Sequence, residues 1–198
     1  MYHPLSRRNI GTITFTYLIT AVLCLLLAGC DITLSGSGIG SNQCQSNCTI
    51  GSGTQGLRVF VEPNAGEQVI TSAIGSAKKS VGLEMYILTD TKVIRALEDA
   101  ANRGIDVRVM LEPHPFGGGG SPSRTMDELS AAGVKVETTN SAFPLTHEKG
   151  MIIDHNAAYI MTSNFSRSAL GGSSGYLSNR EYDIIDTNPQ DVQAVEAR

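Results

Sequence analysis

The chain has 198 residues, of which 41% are hydrophobic and 17% charged, enough apolar material for one sizeable core and too much for a disordered chain. Its formal net charge of −4 speaks against a protein that coats nucleic acid through bulk positive charge, while leaving room for a local basic pocket.

Arg7 and Arg8 precede an apolar run over residues 13–27. That run is short for a spanning helix and ends in small residues, the pattern of an export signal. Its ending, LAGC at 27–30, resembles the bacterial lipobox, and the resemblance implies cleavage before Cys30 and lipid on the Cys30 sulfur. Residues 1–29 are therefore expected to be a lipoprotein signal peptide, with an uncleaved membrane anchor as the alternative. Either one places the remainder outside the cytoplasm, held to a membrane. Residues 30–56, rich in Ser, Gly, Asn and Thr, read as a flexible tether. Cys44 and Cys48 lie in it. In an oxidising compartment they form a disulfide or stay free thiols, because two cysteines without nearby partners make a poor zinc site.

Order is expected from residue 57. LRVFVEP is a β-rich run stopped by Pro63. A helical period covers 67–79, with Val69, Ile70, Ala73, Ile74 and Ala77 on one face. VGLEMYIL, 81–88, reads as a buried strand, and Thr89 or Asp90 caps the helix that follows. That helix turns Val93, Ile94, Leu97 and Ala101 inward and stops at Gly104. IDVRVMLEP, 105–113, alternates as a strand, 123–133 is a short helix, and VKVETTN, 134–140, is another strand. This rhythm predicts parallel strands joined by crossover helices. HPFGGGGSPS, 114–123, interrupts it as a loop at the carboxyl end of a strand. Such a loop is either a ligand-binding loop or a plain connection.

The pattern changes after Pro144. Residues 149–154 and 157–162 are apolar runs separated by His155 and Asn156, which predicts an antiparallel hairpin with Asn156 at positive φ. NREYDIID, 179–186, is a further strand, and Asn188 caps a last helix with Pro189 in its first turn. The expected fold class is α/β, a mixed β-sheet flanked by helices.

Within HEKGMIID, 147–154, strand alternation puts His147 and Lys149 on one face and Asp154 on the other. Asp154 is thus expected to anchor the strand end or turn. A two-residue turn would pair 154 with 157, and so set Thr162 across from Lys149 and Asn164 across from His147. An ammonium and an amide suit phosphoryl oxygens, and an imidazole can serve as nucleophile or acid/base. The carboxylates cluster too weakly for a metal site, so neither metal nor other cofactor is expected.

HEKGMIID resembles the H-x-K-x-x-x-x-D motif of the phospholipase D superfamily. TSNFS, 162–166, is similar to the family's Ser-x-Asn segment that follows, and NREYDII, 179–185, to its N-x-E strand. Thr162 departs from the family, many members of which carry Gly there. The resemblance covers about residues 57–198 and implies a phospholipase D-like single repeat. It implies a catalytic set of His147, Lys149, Asp154, Asn164 and Glu181. His147 is the nucleophile that forms a phosphohistidine, Lys149, Ser163 and Asn164 bind the phosphate, and Glu181 orients the imidazole. Family sites use two such motifs and this chain has one, since neither His114 nor His155 has a lysine two residues on. The second is expected from a homodimer partner or from a further repeat beyond Arg198, as in the cardiolipin-synthase-like branch.

The implied activity is phosphodiester hydrolysis or transfer on a phospholipid, metal-independent, by an extracytoplasmic lipoprotein. Membrane tethering and acidic charge favour lipid over nucleic acid. The alternatives are a homodimeric extracytoplasmic nuclease with the same chemistry and an inactive membrane-tethered binding module. Arg167 and Arg180 flank the site as surface residues or as added positive potential. Glu84 is a buried partner of a basic group or a pocket residue. Phe116 and Phe143 either pack at the core edge or contact substrate.

Overall fold

The structure is a computed structural model and describes residues 49–50, 56–116, 120–171 and 178–197. The expected signal peptide, Cys30 and the Cys44–Cys48 pair lie outside the described residues. Eight strands form one sheet: β1 (Thr49–Ile50), β2 (Leu57–Glu62), β3 (Ser80–Met85), β4 (Asp106–Leu111), β5 (Lys135–Thr138), β6 (Lys149–Ile153), β7 (Ala157–Ile160) and β8 (Glu181–Asp186). Among the described residues five helices accompany them: α1 (Gln68–Ser76), α2 (Thr91–Asn102), α3 (Ser123–Ala131), α4 (Arg167–Leu170) and α5 (Pro189–Glu196).

The spatial order is β1-β2-β8-β7-β6-β3-β4-β5. β3, β4 and β5 are parallel neighbours, and every other pairing is antiparallel. The expected parallel strands with crossover helices are present within the mixed sheet. β2 points the same way as β3, but β8, β7 and β6 lie between them. The β6–β7 hairpin pairs locally because its connection is short, and it fills the gap that a strand–helix rhythm alone leaves unseen.

Strand alternation builds the core. Val81, Leu83 and Met85 of β3, Val107, Val109 and Leu111 of β4, and Met151 and Ile153 of β6 are buried against Ile70 and Ile74 of α1, Val93 and Leu97 of α2 and Leu129 of α3. α2 starts where the Asp90 carboxylate accepts from the Lys92 and Val93 N–H groups and stops before Gly104, whose φ is +86°. α1 is shorter than its apolar period, ending at Ser76. The backbone N–H groups of Lys78, Lys79 and Ser80 turn instead to the Asp154 carboxylate, at 2.6–3.0 Å.

That contact also sets the hairpin register. Ile153 pairs with Ala157, so the turn has three residues rather than two. The positive φ values belong to Asp154 (55°) and His155 (60°) rather than Asn156. Asp154 keeps its own N–H on the Ser80 carbonyl at 2.9 Å while its carboxylate takes the three N–H groups, and it adopts the left-handed region that short polar side chains tolerate. The pairing expected between Lys149 and Thr162 is corrected by one residue: Met161 N–H donates to the Lys149 carbonyl at 3.0 Å.

Candidate functional site

Strand polarity brings the chemistry to one rim. The carboxyl ends of β2, β3, β4 and β7 meet the amino ends of β6 and β8 there, because Met85 pairs with Lys149 and Glu62 with Glu181. His147, Lys149, the segment 162–164 and Glu181 all lie along it. Asp154 lies at the opposite rim, at the far end of β6. There it braces the strand end, as strand alternation predicts, so its place in the set implied by the resemblance is a supporting one. Burial pushes its carboxyl up, but the N–H groups of Ser80, Lys78 and Lys79 prevail and hold it below the ordinary range.

Lys149 falls opposite Met85, on the core side of the sheet, and is only 6% exposed. Its Nζ donates to the His147 carbonyl at 2.9 Å and lies 3.0 Å from His147 Nδ1. Burial lowers the ammonium's pKa, against the opposing fields of Glu181 and Glu148. The exposed imidazole packs on Tyr86, with ring centres 4.4 Å apart, and Lys149 Nζ sits 5.2 Å from the centre of the same ring. Tyr86 is held in turn by its own N–H on the Glu148 carbonyl at 2.9 Å and by its hydroxyl, which accepts from Phe116 N–H at 2.5 Å.

Glu181 does not meet the imidazole that it was expected to orient. Its carboxylate accepts from the Thr162 hydroxyl at 2.7 Å, and its field acts on Lys149. Thr162, the position where the family pattern favours Gly, supplies that hydroxyl. Ser163 is fully buried and donates N–H and O–H to Asp183. Asn164 lies next to it at the same rim, its Oδ1 buried with no protein hydrogen-bond partner. Phe165 is fixed beyond it, donating to the Ile87 carbonyl and accepting from Thr89 and Asp90 N–H.

Three residues at this rim escape the motif. Tyr86 and Glu112 each lie just past a β-strand, where open α/β sheets bind ligands, and that position is the signal that marks them. The buried Glu112 carboxylate accepts from Thr146 N–H (2.8 Å), His114 N–H (2.9 Å) and the Thr139 hydroxyl (3.2 Å). It ties together the two loops that frame His147. Burial raises its carboxyl, and these donors more than offset that. Asp183 stands two residues after Glu181 and so shares its face, which strand alternation alone reveals.

The remaining expectations resolve simply. Phe116 is 86% exposed and Phe143 65%, so core-edge packing is corrected; both sit in loops that follow the carboxyl ends of β4 and β5 at this rim. Arg180 donates to Asn64 Oδ1 at 2.6 Å, and Arg167 is exposed. Glu84 lines a groove of about 570 Å³ on the sheet face away from α1–α3, with Arg108, Met110, Ile152 and Val195 among the other walls. Neither His147 nor Lys149 lines that groove.

Residues 70–198 match the family model described as cardiolipin synthase, PLD-like domain. The chain is 39% identical over 105 residues to a cardiolipin synthase of Alkalihalophilus pseudofirmus, covering 50% of this chain and 20% of that protein. It is 27% identical over 111 residues to a phospholipase D of Rickettsia bellii, covering 56% of this chain and 53% of that one. Its fold is similar to that of a phospholipase D family member, Nuc, from Salmonella typhimurium. That match has a TM-score of 0.60 and 24% identity, and covers 71% of this chain and 89% of that one. The chain thus spans about a fifth of the length of the first of these relatives.

Proposed function

Because this chain belongs to the cardiolipin synthase, PLD-like domain family, we propose that it is a phosphodiesterase-type enzyme that hydrolyses or transfers the phosphodiester of a phospholipid. The observation that carries this reading is the buried Lys149 ammonium 3.0 Å from His147 Nδ1, a nucleophile beside a fixed positive charge. A phosphoryl group entering between them takes over the ammonium's hydrogen bonds and frees the imidazole. A ring nitrogen of His147 then attacks phosphorus. The P–O bond to the leaving alcohol breaks, and the alcohol takes a proton from a second histidine. Water or another alcohol next gives up its proton to that histidine and attacks phosphorus, forming a P–O bond as the P–N bond breaks and His147 is restored. Lys149 and Asn164 stabilise charge on the phosphoryl oxygens, and Glu181 favours the charged form of Lys149; Ser163, expected to bind the phosphate, gives both its N–H and its hydroxyl to Asp183 and supports the site only through the backbone. No step is assigned to a metal. The second histidine comes from another copy of this motif, in a partner chain or a further repeat.

Lipid is favoured over nucleic acid by the exposed rings of Phe116 and Phe143 at the rim and by the acidic net charge. In this reading residues 1–29 direct export, Cys30 carries lipid, residues 30–56 are the tether and 57–198 the extracytoplasmic domain. Among the described residues no helix is long and apolar enough to cross a membrane.

Phosphatidylcholine and plasmid DNA, each assayed with chelator present, test the proposal. Wild-type protein should release head group, and His147→Ala should lose that activity by about 10³-fold or more. Acid quench with labelled substrate should leave label on residue 147. Nicking of DNA without lipid turnover would identify a nuclease, and no turnover in any assembly state a binding module.

A further inference from the structure

The segment 162–164 leaves the β-ladder at the end of β7, so the sheet no longer dictates its backbone. One side chain replaces the sheet there. Asp183 is fully buried and accepts from Thr162 N–H at 2.8 Å, from Ser163 N–H at 3.2 Å and from the Ser163 hydroxyl. Burying a carboxylate costs several kcal/mol unless donors offset it, and burial does raise the pKa of this one. Here every donor comes from the two residues that precede Asn164. The same orientation lets Thr162 Oγ1 bridge two groups, donating to Glu181 Oε2 at 2.7 Å and accepting from Tyr182 N–H at 3.0 Å. With Phe165 tied to the end of β3, Asn164 is suspended between two fixed points and its Oδ1 remains unpartnered.

We propose that Asp183 is a positioning residue of the phosphate site, a buried acceptor that sets the 162–164 turn and thereby aims the Asn164 amide and the Thr162–Glu181 pair. It need not touch substrate. This inference rests on the phosphodiesterase reading for its kinetic consequence but not for its geometric one.

Asp154 provides a matched control, because it also gathers three N–H donors but does so at the opposite rim. Turnover of bis(p-nitrophenyl) phosphate by the full chain, corrected for folded fraction, separates positioning from general stabilisation. Asp183→Ala should lower kcat at least thirtyfold, whereas Asp154→Ala should stay within threefold of wild type. Asp183→Asn keeps an oxygen for the two N–H groups, and the Ser163 hydroxyl can rotate to accept from the new amide, so it should recover to within about tenfold. Equal kcat for Asp183→Ala and Asp154→Ala would overturn the proposal. If Asp183→Ala does not fold, Asp183→Asn carries the test in an Asn164→Ala background. Its penalty should shrink there to the share carried by the Thr162–Glu181 pair, and an unchanged penalty would overturn the proposal. If wild type turns over nothing, the phosphodiesterase reading fails and the geometry is read by amide exchange and NMR instead. Asp183→Ala should then exchange Thr162 and Ser163 amides at least tenfold faster, and either variant should shift the Asn164 side-chain amide, with the Lys79 amide unchanged. An unmoved Asn164 resonance would overturn the inference.

Discussion

Two carboxyls away from His147, Glu62 and Asp154, respond to pH in opposite senses. Glu62 is fully buried on the face it shares with Asp183 and Glu181. Burial, set against one N–H from Gly66 and compounded by the field of Asp183, pushes its pKa from 4.5 up to about 7. A raised acid favours folding fully below its unfolded value, and that contribution is lost as pH rises through the folded value. Stability should therefore fall by on the order of 2 kcal/mol between pH 4.5 and 7, and Glu62→Gln should flatten that slope in urea melts. Asp154 is held low, so its contribution is complete above 3.8 and is lost as pH falls through its folded value. Asp154→Ala should cost about 2 kcal/mol at neutral pH, and Asp154→Asn should blunt the acid transition of the wild type. Side-chain parity made the His147–Lys149 pairing and the separation of Asp154 legible from eight letters. Asp183, Glu112 and Tyr86 carried only a positional signal, because most of the groups they hold lie in loops far off in sequence.

The β6–β7 hairpin shows where strand-by-strand reading stops. Its two apolar runs were plain, but its register turned on a carboxylate reaching across to the α1–β3 connection, a contact with no local signature. The same contact shortened α1 against its own apolar period, since the N–H groups of residues 78–80 had a better acceptor elsewhere. The connection after α4 carries a stricter constraint. Gly171 has φ +81°, and a Cβ there would lie 3.2 Å from both Cβ and the carbonyl oxygen of Pro63. Gly171→Ala should cost about 1–3 kcal/mol through left-handed strain and backbone contact together, read as a lowered urea midpoint with an unchanged m-value.

The order of the sheet was the least legible feature, because alternating strands and helices specify direction but not which strands become neighbours. Composition gave the class, the motif gave the rim, and only long-range pairing placed β8 and β7 between β2 and β3. On the proposed mechanism, the single motif within these residues leaves the leaving-group proton to be supplied by a second one. If a second copy supplies it, specific activity should fall when the protein is diluted through its dimer dissociation range, and sedimentation should show monomer appearing in step. The sheet meanwhile keeps its two ends in different trades. His147 and its neighbours stand at one, while the other is stitched by Asp154 and by Asp106 with Lys135 and Arg108. A fluorophore, surface linkage or stabilising crosslink installed at the stitched end would leave the reacting groups undisturbed, which makes that end the natural handle for immobilising or engineering this molecule.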